Sequence, residues 1–226
     1  MKKLALVFGG SRGIGAACVE VLGTEFDVAF TSVSGNAGHR VDVQKSDEVK
    51  SVFDGVERQY GRKIDCVVAN AGIGVPPGPI AQYDTANFRK LVEVNIVGAF
   101  NVLREAGQRV ADGGSIIAIS TSMVRHAVPG FGPYAGTKAA VECMVRSMAK
   151  EIAPRKVRVN AIAPGPVDTD LFRAGKTEEA KQKSAALSPF NRIGTPKEVA
   201  EVVAFLASDK ASWIHGQVVQ PNGGMI

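Results

Sequence analysis

Short apolar runs alternating with amphipathic ones constrain this chain more than any other feature. Residues 4–8 are wholly apolar and stop at a cluster of glycines, and residues 14–22 then carry helical periodicity. The rhythm recurs to the end of the chain. It predicts strands at 4–8, 28–31, 41–43, 66–69, 115–119, 158–162 and 217–220, and helices at 14–22, 47–60, 88–110, 134–153 and 198–206. Strands too apolar for a one-sided sheet, separated by helices, imply a parallel sheet covered on both faces. No linker and no internal repeat interrupts the pattern. With 226 residues and 45% hydrophobic content, the chain is expected to form one doubly wound α/β domain over residues 1–226.

Composition excludes several classes. The net charge is +5 (27 Lys and Arg against 22 Asp and Glu), but the basic residues are scattered, which gives a nucleic-acid or membrane-surface role no support. Cys18, Cys66 and Cys143 are too sparse for a disulfide framework or structural zinc, and each is expected to pack in the core. His39, His126 and His215 lack ligand spacing, so no metal is expected. The apolar N-terminal run is too short for a signal-peptide core, and no later stretch reaches ~18 apolar residues, so a cytoplasmic protein is expected. Residues 168–193 break the rhythm, with Lys176, Glu178, Glu179, Lys181 and Lys183 and few apolar anchors, as a lid over a site would.

Two local patterns carry chemistry. Gly9-Gly10-Ser11-Arg12-Gly13-Ile14-Gly15 joins the first strand to the first helix. Such a turn brings backbone N–H groups of a helix start close to a pyrophosphate, with glycines where side chains would block the approach. Tyr134-Ala135-Gly136-Thr137-Lys138 sets a phenol and an ammonium one helical turn apart on one face. An ammonium there favours phenolate and lowers the phenol pKa, which makes the pair a candidate general acid.

These motifs keep company, in chain order, with Asn70-Ala71-Gly72, Asn95, the hydroxyls of Ser120-Thr121-Ser122, and Pro164-Gly165-Pro166-Val167-Asp168-Thr169. In that order they make the chain resemble the short-chain dehydrogenase/reductase family over essentially its whole length. Within the family it is most similar to 3-oxoacyl-acyl-carrier-protein reductases and related carbonyl reductases. The resemblance implies a Rossmann-like fold and hydride transfer between a nicotinamide and a ketone or secondary alcohol, free or carrier-bound, in a homotetramer or homodimer. Residue by residue, it implies that Gly9, Gly13 and Gly15 pack against the cofactor diphosphate, with Ser11, Arg12 and Ile14 in the same turn. Asn70, Ala71 and Gly72 would line the adenine-ribose side, and Asp42 would meet the adenine amino group. Val167 and Thr169, after Pro164 and Gly165, would reach the nicotinamide end. Tyr134 would be the acid/base, Lys138 would bind the nicotinamide ribose and lower the Tyr134 pKa, and Asn95 would hold a water in a proton relay.

The hydroxyl that steadies the substrate oxygen is Thr121 or Ser122. Thr121 is favoured by its register, thirteen residues before Tyr134, whereas Ser122 is closer to the usual residue type; Ser120 is read as structural. Residues 31–34 hold no carboxylate after the second strand, where a site preferring NAD places one. Arg12 can pair a 2′-phosphate, with Ser11, Ser32 and Ser34 as donors and Arg40 as a further cation, so NADP(H) is expected over NAD(H). Substrate walls are expected at 73–80, 123–131 and 171–186, with Arg125, His126 and Arg173 placed to meet an anionic tail or simply solvated.

The chain departs from the family at Phe8, where a hydroxyl residue commonly precedes the first glycine, and at Asn222-Gly223-Gly224, where aspartate is usual. The larger departure is that only residues 35–40 separate Ser34, after the second strand, from Val41 of the third. A parallel crossover normally takes ~10–12 residues including a helix. The alternatives are a tight strap, a displaced third strand, or shorter strands. Two other functions remain open: a cofactor-binding regulator without catalysis, and a Rossmann-like methyltransferase, which needs no Tyr-x3-Lys.

Overall fold

The computed structural model describes residues 2–226. One sheet of seven parallel strands runs in the order β3-β2-β1-β4-β5-β6-β7. The strands are β1 (Lys3–Phe8), β2 (Phe26–Ser32), β3 (His39–Arg40), β4 (Cys66–Ala69), β5 (Ser115–Ile119), β6 (Arg158–Ile162) and β7 (Val218–Val219). The winding reverses between β1 and β4, and this opens a crevice beyond their carboxyl ends, where such sheets bind ligands.

The helices are α1 (Gly13–Leu22), α2 (Ser46–Tyr60), α3 (Thr85–Leu91), α4 (Ala99–Arg109), α5 (Met123–His126), α6 (Gly132–Ile152), α7 (Asp170–Arg173), α8 (Glu178–Ala185) and α9 (Pro196–Ala207). The single helix expected over 88–110 is interrupted: a π-helical segment, Val92–Gly98, joins α3 to α4. None of the described helices is long and apolar enough to cross a membrane.

Strand alternation divides the core into two layers. Leu4, Leu6 and Phe8 of β1 face Val49 and Phe53 of α2, Val102 of α4 and Val145 of α6. Ala5 and Val7 face Cys18 and Leu22 of α1 and Val199, Val203 and Leu206 of α9. Three long helices therefore cover one face and two the other. Burial pushes the Cys18 thiol up to about 12 and the Cys66 thiol up to about 11. Cys143, expected in the core, is exposed on α6 instead.

No helix joins β2 to β3. The third strand is displaced from the expected 41–43 to His39–Arg40, and it pairs only with Thr31 and Ser32. The chain thus retraces only two strand residues, about 7 Å, which needs no helix. Ser32 Oγ locks the strap, donating to Ala37 O at 2.7 Å and accepting from Gly35 N at 3.1 Å. Gly38 has φ +70°, and a Cβ there would collide with Phe30 O, so the return turn requires glycine.

Candidate active site

The glycine turn leaves β1 and enters α1 at the crevice. Gly10 N donates to Thr31 O at 2.9 Å, which ties the turn to β2. Asn70, just past β4, donates from Nδ2 to Gly9 O at 2.9 Å, which ties it to the other side of the switch point. Gly15 packs so closely here that a Cβ would overlap Gly9 O and Asn70 Nδ2. No side chain caps the start of α1 and its first turn has no acidic residue. Its free N–H groups and positive dipole end are therefore open to an anion.

The 2′-phosphate side is rearranged from expectation. The Ser32 hydroxyl is spent on the strap and buried, so it is a lock and not an open phosphate donor. Ser11, Arg12, Ser34 and Arg40 are all exposed. Among the described residues, neither Arg12 nor Arg40 enters an ion pair. Asp42 folds into the turn that starts α2: its Oδ1 accepts from Gln44 N at 3.1 Å and Gln44 Nε2 at 2.9 Å, and its N–H donates to Glu48.

The reacting groups expected from sequence converge at the carboxyl ends of β4 and β5. Tyr134 lies in the first turn of α6 and Lys138 one turn later. Lys138 is buried, with Nζ donating to Ile119 O at 2.9 Å, and desolvation holds its ammonium down at about 8. The same desolvation pushes the Tyr134 phenol up to about 12. Tyr134 therefore carries its proton throughout the neutral range.

The two hydroxyl candidates differ in how they are engaged. Ser122 Oγ is 1% exposed for its residue and donates to Pro164 O at 2.5 Å. Thr121 Oγ1 accepts from Met123 N at 3.3 Å, which leaves its proton uncommitted.

Asn95 lies in the π-helical segment, a distortion that often marks functional positions. Its side chain grips the loop after β4, accepting from Ile73 N at 2.9 Å and donating to Ile73 O at 3.0 Å. Its Nδ2 also donates to Thr137 Oγ1 at 3.2 Å, and Thr137 Oγ1 donates to Tyr134 O at 2.7 Å. Thr137 was not singled out from sequence, because the middle of a Tyr-x3-Lys spacing carries no pattern of its own. Asn95 Oδ1 and Lys138 Nζ both border the space beside Gly72.

The three expected walls come together. Gly78 N donates to Gly130 O at 2.9 Å, joining the first two, and Leu171 of α7 lies over Gly74. Thr169 packs against Gly13, between the lid and the glycine turn. The ends of segment 168–193, expected as a lid, are pinned by a parallel bridge, Val167 to Gly194, with Asp168 N donating to Gly194 O and Gly194 N to Pro166 O, each 2.9 Å. Arg173 clamps Asp168 through two bonds of 2.7 and 2.6 Å, so it is engaged within the lid, whereas Arg125 is exposed. An apolar groove lined by Ile80, Met123, Val124, Val128, Gly136 and Ala139 lies nearby. Gly136 and Ala139 stand about 140–200° around α6 from Tyr134.

Known proteins resemble the chain over nearly its whole length. A family model described as Enoyl-(Acyl carrier protein) reductase matches residues 10–226. The chain is 36% identical to an NADPH-dependent aldehyde reductase-like protein of Arabidopsis thaliana, over 99% of this chain and 94% of that protein. It is also 36% identical to 3-oxoacyl-(acyl-carrier-protein) reductase MabA of Mycobacterium bovis, over 100% and 93%. Among solved structures, a Serratia marcescens short-chain dehydrogenase/reductase mutant superposes with a TM-score of 0.89 at 30% identity, covering 99% of this chain and 97% of that one. ElxO with NADP bound superposes at 0.88 with 26% identity, covering 100% and 99%. The chain belongs to the short-chain dehydrogenase/reductase family and is an oxidoreductase of CH–OH and C=O groups.

Proposed function

We propose that the protein is an NADP(H)-dependent reductase of small ketones, or of the corresponding secondary alcohols in reverse, with Tyr134 as the proton donor. The observation that carries this reading is that Lys138 Nζ and Asn95 Oδ1 both border Gly72, with Tyr134 one turn before Lys138 on α6 and an uncapped glycine turn at the start of α1. The residues fit the cofactor. The α1 N-terminus and Gly9, Gly13 and Gly15 suit its diphosphate, Arg12 and Arg40 its 2′-phosphate, and Lys138 its nicotinamide ribose. Ala71, Gly72 and Asp42 suit the adenosine, and Val167 and Thr169 the nicotinamide end. When bound, NADPH supplies a hydride to the carbonyl carbon. Tyr134 gives its proton to the carbonyl oxygen, and Thr121 donates a hydrogen bond to that oxygen as charge develops. Lys138 and Asn95 hold the proton path to solvent, and the lid excludes water.

The substrate is a small carbonyl compound, with a carrier-bound 3-oxoacyl thioester as one member of the class. A homodimer or homotetramer fits Phe88 of α3 and Phe100 of α4, which are 44% and 47% exposed in the single chain. The testing experiment is NADPH oxidation over a ketone panel that includes a 3-oxoacyl thioester. NADPH binding without turnover on any member would favour a silent cofactor-binding protein instead.

Two results are expected alongside. Wild-type kcat/KM should be higher with NADPH than with NADH, and Arg12→Ala should cut the NADPH value about tenfold or more while sparing NADH, because a charged hydrogen bond to phosphate is worth ~1.5–3 kcal/mol. A higher wild-type value with NADH would sink the cofactor assignment. Thr121→Ala should lower kcat about 100-fold, as loss of one oxyanion donor does. Ser122→Ala should act mainly on stability, by ~1 kcal/mol, through the lost bond to Pro164 O. Equal, mild effects on turnover would overturn the choice between them.

A further inference from the structure

We infer that the buried carboxylate of Glu142 is a positioning residue for the reaction: through Ser120 it holds the Thr121 end of β5 in register with Tyr134 and Lys138 of α6. The claim rests on reading those three as the reacting groups. Glu142 lies one helical turn beyond Lys138 and is 5% exposed, and Ser120 is 4% exposed. Ser120 Oγ donates to Glu142 Oε1 at 2.7 Å, a fully buried contact between side chains. The other oxygen has Arg146 Nη1 at 3.7 Å, from a side chain that is half exposed.

A buried carboxylate is costly unless its partners compensate, and a neighbouring face made of Val141 and Val145 would accept an apolar residue without that cost. What the carboxylate adds is a second bond between the same two elements. Lys138 Nζ already reaches Ile119 O. One bond leaves a pivot, whereas two bonds a helical turn apart, to consecutive residues 119 and 120, fix the seat. Ser120 N donates to Ile162 O at 2.7 Å and Ser122 N to Pro164 O at 2.9 Å, so residue 121 is also flanked by bonds to the end of β6. The Glu142 contact couples that whole edge to α6. A displacement of 1 Å at reacting groups costs about 100-fold in rate.

The test compares E142A, E142Q, S120A and the double variant S120A/E142A in NADPH-dependent ketone reduction, with NADPH affinity and amide hydrogen exchange measured on the same proteins. E142A and S120A should each lower kcat about 10–100-fold, change KM and the NADPH Kd by less than about threefold, and raise the isotope effect from NADPH deuterated at C4. E142Q, whose carbonyl oxygen still accepts from Ser120, should keep most of the activity. The double variant should be no worse than either single one. The Ser120 and Ser122 amides should exchange about tenfold faster in E142A.

Wild-type kcat in folded E142A or S120A, a loss in E142Q equal to that in E142A, or additive losses in the double variant would overturn the inference. If E142A does not fold, S120A decides, since it removes only a hydroxyl. If the wild type reduces no ketone, the functional reading fails on its own. Amide exchange then decides the present claim, and unchanged exchange at Ser120 and Ser122 refutes it.

Discussion

Tyr134→Phe is expected to lower kcat/KM for ketone reduction by about 1,000-fold while leaving the NADPH Kd within about threefold of wild type. General acid catalysis contributes ~100- to 10,000-fold, and no other described group stands ready to replace it. Desolvation holds the phenol pKa up at about 12, so Tyr134 carries the proton to be given across the neutral range. Lys138 is one turn away on α6, and Thr121, two residues past the end of β5, is proposed to give that oxygen a hydrogen bond and not a proton. The substitution removes one hydroxyl and leaves the ring packing intact. The thermal midpoint should therefore move by less than the ~4 °C that a 1 kcal/mol change brings in a domain of this size. Steady-state kinetics, a fluorescence titration of NADPH and a thermal melt check these three numbers, and undiminished turnover in the variant would overturn the mechanism.

Lys138→Met is expected to separate activity from stability in opposite directions. Activity should fall by at least 100-fold, with weaker NADPH binding, because the buried ammonium is lost from the ribose side of the site. Stability at pH 7 should rise. The Lys138 pKa is depressed from 10.5 to about 8 by burial. Between those values the unfolded chain binds more protons than the folded one, so stability increases as pH rises through that window. Below about 8 both states are protonated and the full penalty is present, about 3 kcal/mol at ~1.36 kcal/mol for each pH unit. Loss of the bond to Ile119 O returns about 1 kcal/mol, which leaves a net gain of about 2 kcal/mol for the methionine variant. Urea melts at pH 7, 8 and 10 should show this advantage shrinking as pH rises, and a variant less stable than wild type at pH 7 would refute the account. For the wild type, kcat/KM for reduction should decline above pH 8 as Lys138 discharges in the free enzyme.

The alternation of apolar and amphipathic runs was enough to read β1, β4, β5, β6 and the long helices to within a few residues. The reason is local: a buried strand between two helical layers must be apolar on both sides, and that leaves a mark in consecutive residues. The residues proposed to react were legible for a different reason. Tyr134 and Lys138 depend on a spacing within one helix, and the glycine turn depends on a run of seven residues. Where the sequence reading erred, the deciding contact was distant or the side chain had two uses. His39–Arg40 replaced the expected third strand because pairing with Thr31 and Ser32, and not the apolar content of 41–43, determines where the strand lies. Ser32 looked like a phosphate donor, but its hydroxyl is consumed by backbone groups three and five residues on. The π-helical segment at Asn95 left no compositional trace.

By itself, then, the sequence determined the layered α/β architecture, the glycine turn at the crevice and the Tyr134–Lys138 pair, because each is encoded over a few residues by periodicity or sterics. Only the tertiary structure decided which hydroxyl keeps its proton, since Pro164 O, 42 residues away in sequence, takes that of Ser122. It alone decided that burial, and not charge, governs the Tyr134 and Lys138 protons. It also decided that Glu142 reaches back across α6 to the end of β5. These outcomes depend on which groups lose water together, a property of the packed interior that no local stretch of residues specifies.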